Sequence, residues 1–300
     1  WLLLTGTILL LGFVTIQNDR NIDSIELENA HSAFVELKEF LHKENGQLWN
    51  YSLIGPVMLV DRKTRIIYAN EKDSSGELLK NGEVYVGKLP ENINIVSGTA
   101  FKWNGKWWTM VALPLPKTRE ERLCLLIHES FHRIQSSIGF DSLSEIQNVH
   151  LDTKDGRIFL KLELEALKKA IDSDNQETEI KDALLFREYR YKIFQDAKKA
   201  ENSLELNEGL AEYTGTILSQ RTERELKKYY ISRINLLYTM PTFVRSFAYF
   251  TIPVYGFLMQ KKDIKWNLRI SKNTNLSDYI SNFYGLKHQE LQYADIISTR

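Results

Sequence analysis

Two histidines and a glutamate in segment 125–132, with the sequence LLIHESFH, carry side chains that bind metals and transfer protons. His128 and His132 lie four residues apart, so on an α-helix both imidazoles project from one face and can reach the same ion. Glu129 would lie about 100° round the helix, where it can meet a water molecule on the metal without ligating the metal. Zinc accepts such ligands and acidifies water. The segment therefore predicts a hydrolase with one Zn²⁺ on the two histidines and Glu129 as general base.

The alternative is a buried structural helix whose histidines are satisfied by hydrogen bonds. The chain has only 6 histidines, and an apolar face is already supplied within and beside this segment by Leu123, Leu126, Ile127, Phe131 and Ile134. Histidines within such a run need polar partners, and one metal ion would serve both. We therefore favour the metal site.

A third ligand is expected from segment 205–215, with the sequence ELNEGLAEYTG. Three of its carboxylates have the i, i+3, i+7 pattern of one helix face: Glu205, Glu208 and Glu212. Such a stripe is usually solvated, but this one lacks lysine partners and is flanked by Gly209 and Gly215. Glycine within a helix often marks the close approach of another backbone. We therefore expect this helix to pack tightly against the histidine-bearing helix and to complete the metal site.

The pair His-Glu-x-x-His and, downstream, Asn-Glu-Gly-x-Ala-Glu-Tyr resembles the gluzincin zinc metallopeptidases, which include the thermolysin-like and alanyl-aminopeptidase-like enzymes. The resemblance covers residues 118–219 and implies a zincin-like fold, with Glu208 as the third zinc ligand. It also implies that Glu212 orients a zinc-binding histidine. The chain departs from the family pattern because about 75 residues separate the motifs, whereas many family members have a much shorter connection.

The resemblance implies zinc-dependent hydrolysis of a peptide or protein substrate. A tyrosine or histidine from a later helix would donate a hydrogen bond to the oxyanion, and the sequence does not choose among four candidates: Tyr213, Tyr249, Tyr255 and His150. Zinc and Glu129 would activate water whatever the acyl group, so a hydrolase of another amide is an alternative. So are a catalytically silent zinc-holding protein and a metal-free interaction protein. Cleavage within the chain or from its end stays open.

The apolar residues 1–17 are expected to be a signal peptide or a membrane anchor, which predicts an exported or membrane-anchored protein of the cell envelope. A core helix of the fold is the alternative. The formal charge of +0, without a basic cluster, argues against a nucleic-acid partner. The single cysteine, Cys124, lies in an apolar run and is expected to be a small core residue.

Residues 18–117 are predicted to form a helix and a small antiparallel or mixed sheet. The helix is expected from Ser24 to about Glu44, followed by hairpins over 56–69 and 101–113, a strand over 83–87, and surface loops over 45–50 and 71–81. In the resembled family, an edge strand beside the zinc helix binds the substrate backbone. Trp107–Leu113 runs almost directly into that helix, so we expect either this role or a purely structural strand.

Residues 118–300 are predicted to be mainly helical. The metal helix should begin at the capping box of Thr118, and helices should follow over 158–171, 179–199, 202–220 and 223–238. A further helix is expected to begin at Met240 and to be kinked or ended by Pro253. The predicted fold class is α+β, with the small sheet packed on the larger helical portion and the metal site at their junction.

Overall fold

The computed structural model describes residues 24–95, 99–143, 146–173 and 176–286. The predicted leader, residues 1–17, lies outside these ranges. Of the helices within them, none combines the length and the apolar composition that crossing a bilayer requires.

The first part of the described chain forms a helix and a mixed sheet. Helix α1 spans Ser24–Glu44, as predicted. The strands are β1 (Val57–Val60), β2 (Ile66–Ala69), β3 (Leu79–Asn81), β4 (Val84–Lys88), β5 (Thr99–Trp103) and β6 (Lys106–Ala112). They are ordered β3-β4-β2-β1-β6-β5, and the β1–β6 pair is the parallel one.

Both predicted hairpins are confirmed. Strands β1 and β2 pair antiparallel with Leu59 opposite Tyr68, and β5 and β6 pair antiparallel around Asn104 and Gly105. These two turn residues have φ values of 44° and 79°, which an Asn-Gly turn adopts at little cost.

One expectation for the sheet is wrong, because loop 71–81 ends in strand β3, which pairs with β4. Of the two roles expected for Trp107–Leu113, the edge strand is contradicted and the structural strand agrees with the fold. Strand β6 lies between β1 and β5, and the edge beside the helices is β5. The last five residues of β6 are all buried, which is typical of an interior strand.

The helices after the sheet are α2 (Arg119–Ile134), α3 (Lys154–Asp172), α4 (Glu177–Ile193), α5 (Ala197–Leu204), α6 (Leu210–Ile217), α7 (Glu223–Leu237), α8 (Ala248–Gln260) and α9 (Leu276–Phe283). A π-helical turn, Glu205–Gly209, joins α5 to α6. Thr118 caps α2 by accepting a hydrogen bond from the Glu121 amide, which confirms the predicted start of this helix.

Two helix boundaries differ from the predictions. The helix expected over 179–199 is broken after Ile193, because Asp196 adopts a left-handed φ of 66° before α5 begins. The helix expected from Met240 begins only at Ala248, and Pro253 lies inside it rather than ending it. The preceding segment is held in a turn by Asp152, whose carboxylate accepts a hydrogen bond of 2.9 Å from the Phe243 amide.

The α+β class is confirmed, with the sheet packed on the helical portion. One core cluster joins α1, one face of the sheet and helices α2 to α9, so it includes residues from both predicted portions. A smaller apolar cluster covers the opposite face of the sheet, around Met58, Ile67 and Trp108. Helix α2 contacts β5 and β6, which brings the predicted metal helix to the junction between sheet and helices.

Candidate metal centre

Helix α2 presents both histidines to the interior. The His128 and His132 side chains are almost fully buried, and their Nε2 atoms lie 3.1 Å apart. Their rings are 4.9 Å apart between centroids. The i, i+4 spacing has therefore placed two ring nitrogens close enough to share one ion.

Glu208 reaches the same point from the π-turn. Its Oε2 atom lies 3.5 Å from His128 Nε2 and 3.4 Å from His132 Nε2. A zinc tetrahedron with bonds of about 2.0–2.1 Å has edges of about 3.3–3.4 Å. The three predicted ligands thus have nearly the separations of three tetrahedral corners, and they form a buried group able to hold a metal.

The π-turn separates Glu208 from Glu205, so the predicted single acidic face is wrong. In an α-helix, residues i and i+3 differ by about 60° in direction. A π-turn, with about 4.4 residues per turn, increases this to roughly 115°. Glu205 therefore points away from the histidines and accepts two hydrogen bonds, of 3.0 and 2.7 Å, from buried Arg187, and one of 2.6 Å from Thr251.

Helix α6 lies very close to α2, as the glycines predicted. A Cβ atom on Gly215 would lie 2.4 Å from the Cys124 carbonyl oxygen, so only glycine allows this approach. Gly209 instead faces Ile252 of α8. The close packing of α6 places Glu212 Oε2 3.0 Å from His128 Nδ1, the position expected for a carboxylate that orients this ring.

Gln135 holds the second histidine in a similar way, and sequence reasoning missed it. Its Oε1 atom lies 2.7 Å from His132 Nδ1, and its amide donates to the Asn207 carbonyl at 3.0 Å. The only signal was a glutamine three residues after His132 on the same helix face. Gln135 thus links the histidine helix to the turn that carries Glu208.

The electrostatics couple the ligands strongly. Burial alone would lower the pKa of His128, but hydrogen bonds to Glu208 and Glu212 outweigh it and raise the pKa to about 10. Burial would raise the pKa of Glu208, but its contacts with the two histidines outweigh burial and hold that pKa far below its usual range.

Glu129 is also buried, and burial is the main reason why its pKa is raised. Its Oε2 atom is buried without a hydrogen-bond partner among the residues that the structure describes. An unsatisfied buried carboxylate oxygen is costly, so it indicates a polar group that binds there. This is consistent with the predicted role beside an attacking water molecule.

Of the four candidate oxyanion donors, Tyr249 is the one placed at the site. Its hydroxyl donates to Glu208 Oε2 at 2.6 Å, and its ring is stacked on His128 with centroids 5.7 Å apart. The other three bond to groups away from the ligands: Tyr213 to Gln260, Tyr255 to Glu163 and His150 to Glu201. Cys124 is buried, and burial raises its pKa to about 12, so it is an inert core thiol as expected.

A cleft of about 880 Å³ opens onto these groups. Its walls come from the β5–β6 hairpin, α2, the π-turn and the residues before α8. They include Ala100, Trp107, Arg133 and Arg245. The Trp107 side chain is 56% exposed, so its indole is accessible from the cleft. Trp107 begins the strand that was predicted as a candidate substrate-binding strand, whereas neither arginine was predicted as a site residue.

Comparison with known proteins does not extend these findings. No protein-family model, no curated protein and no solved structure matches the chain at a significant level. The similarity to gluzincins therefore depends on the two motifs and stays a prediction.

Proposed function

We propose that this protein is a zinc-dependent hydrolase that cleaves peptide bonds. The observation that carries the proposal is the convergence of His128, His132 and Glu208 at tetrahedral separations beside a Glu129 oxygen that has no hydrogen-bond partner in the described part of the chain. A purely structural cluster would not need a buried carboxylate without a partner next to two histidines. The zincin-like identity of the fold belongs to this proposal.

Each side chain has a distinct part in the proposed reaction. A zinc ion on the three ligands would lower the pKa of water towards about 7 and polarise the scissile carbonyl. Glu129 would accept a proton from the attacking water and deliver it to the leaving amine. Its raised pKa, caused by burial, makes it a stronger base than an exposed carboxylate.

Tyr249 is the candidate donor to the oxyanion. Its hydroxyl already lies beside the metal-facing oxygen of Glu208. Burial raises the pKa of Tyr249 well above its usual value, so the hydroxyl keeps its proton at neutral pH. A donor held beside the reacting carbonyl would stabilise negative charge that develops there.

The edge strand β5 favours a peptide over another amide. Ala100 of β5 lines the cleft that also contains the three ligands, and β5 is the last strand of the sheet within the described ranges. An extended peptide can pair with such an edge through backbone hydrogen bonds. We therefore propose that β5, rather than the strand Trp107–Leu113, binds the substrate backbone.

Three measurements test this function. A peptide-library digest with and without chelator should show metal-dependent cleavage. Glu129→Gln should keep stoichiometric zinc and lose about 10²- to 10⁴-fold in hydrolysis, because only the base is removed. His132→Ala should lose stoichiometric zinc.

Glu120→Gln is the matched control, since Glu120 lies on the same helix outside the cleft. It should leave both zinc and hydrolysis unchanged. Full hydrolysis by Glu129→Gln, or full zinc retention by His132→Ala, would contradict the proposal.

A further inference from the structure

Arg133 lines the cleft and forms no ion pair with a carboxylate among the described residues, although the charge of Glu71 acts on it from further away. Its Nη2 donates to the Leu53 carbonyl at 2.7 Å. Its Nε is buried and has no hydrogen-bond partner within the described ranges, where no carboxylate forms an ion pair with it either. A guanidinium cannot lose its proton in a protein, so this charge persists.

The guanidinium is nevertheless held in a defined place. It lies against the backbone of Gly55, where an added Cβ would be 2.4 Å from both Arg133 Cζ and Nη1. Only glycine leaves room for it at this position. The loop before β1 thus binds the side chain by its backbone, rather than by an opposite charge.

The position of Arg133 relates it to the proposed reaction. It follows Glu129 by one helical turn on the same face of α2, and both residues line the cleft together with Trp107. A group bound by Arg133 would therefore lie in the same cleft as the proposed reacting groups.

The Arg133 side chain is partly buried, which weakens the competition of water for its guanidinium and favours an anionic partner in the cleft. The guanidinium fork matches a carboxylate, and such charge-assisted bonds are among the strongest hydrogen bonds. We infer that Arg133 binds a carboxylate of the substrate, so that the hydrolase prefers peptides with a free carboxylate close to the cleaved bond. This inference rests on the proposed function.

The test uses one short peptide in three forms. These are the free C-terminal acid, the C-terminal amide, and the amide with an acidic residue near its end. Dissociation constants are measured with the metal-free protein and with zinc-loaded Glu129→Gln, and kcat/KM with the zinc-loaded natural chain. At least one carboxylate form should bind about 10- to 100-fold more tightly than the plain amide. If the free C-terminal acid binds more tightly, Arg133 recognises the peptide terminus. If the amide with an acidic residue binds more tightly, Arg133 recognises a side-chain carboxylate.

Arg133→Gln should remove this preference and leave binding of the plain amide nearly unchanged. Gly55→Ala keeps the arginine but displaces its guanidinium, so it should remove the preference as well and serves if Arg133→Gln does not fold. Arg62→Gln, in the exposed turn between β1 and β2, is the control and should keep the preference.

Equal binding of acid and amide by the natural chain, or an undiminished preference in Arg133→Gln, would overturn the inference. The proposed function fails separately. If the protein binds carboxylates through Arg133 but hydrolyses no peptide, the carboxylate site is supported and the proposed hydrolase function is contradicted.

Discussion

Zinc binding should release a proton from His128. In the metal-free protein, Glu212 lies 3.0 Å from His128 Nδ1, and Glu208 lies 3.5 Å from Nε2. These carboxylates outweigh burial and raise the pKa of His128 to about 10, so the ring is protonated at neutral pH. Zinc binds only the neutral imidazole, and the proton must leave before the metal can be held.

The size of the effect on zinc affinity follows from the difference between the pKa of His128 and the pH of the measurement. At pH 7 the difference is about three units, which lowers zinc affinity by about 10³-fold, or about 4 kcal/mol. Affinity should therefore increase about tenfold per pH unit as the pH rises towards 10.

The stability of the metal-free protein should change in the opposite direction. A folded pKa raised above the unfolded value of 6.5 stabilises the fold fully below pH 6.5. This contribution is lost as the pH rises towards 10. The zinc-loaded protein, whose His128 is neutral, should not show that loss.

Titration calorimetry in buffers of different ionisation enthalpy measures the released protons directly. We expect about one proton from His128 per zinc at pH 7. Competition with a chelator at several pH values gives the affinity slope. A release near zero, together with an affinity independent of pH, would refute the inferred coupling between His128 and its carboxylates.

Two further substitutions probe how the centre is held together. Glu212→Gln should weaken zinc binding to the neutral His128 ring by about 10- to 100-fold, because the ring loses the carboxylate that orients it; chelator competition at several pH values separates this from the easier loss of the His128 proton. Gly215→Ala places a methyl group 2.4 Å from the Cys124 carbonyl oxygen, so α6 must move away from α2. It should lower the free energy of unfolding by about 1–3 kcal/mol in urea denaturation and also weaken zinc binding.

Unchanged zinc affinity in Glu212→Gln would show that the carboxylate does not support the ring. For Gly215→Ala, an unchanged urea midpoint would show that the two helices can separate without cost. Gly209→Ala is a useful comparison, since that glycine faces Ile252 of α8 rather than α2.

Local features of the structure could be predicted from the sequence because they depend on residues that are adjacent in the chain. The cap at Thr118, the Asn104-Gly105 turn and the one-turn spacing of His128 and His132 each depend on a few adjacent residues. Backbone geometry converts such patterns into structure with little outside help.

Features that depend on residues far apart in the chain could not be predicted in this way. Strand β6 was predicted as a possible edge, and its parallel partner β1 lies about 50 residues earlier in the chain. The separation of Glu205 from Glu208 requires a π-turn, which is stabilised by Arg187 from another helix. Neither pairing leaves a periodic signal in the sequence, because it depends on which surfaces meet in the fold.

The chain therefore encodes locally which side chains could hold a metal, since His128 and His132 share a helix face and Glu129 lies beside them. Their arrangement into a site arises from packing. Gly215 lets α6 approach α2, and the π-turn directs Glu208 to the ring nitrogens. The contact of Arg133 with the Gly55 backbone also arises from packing, because residues about 80 positions apart meet only once the core has formed.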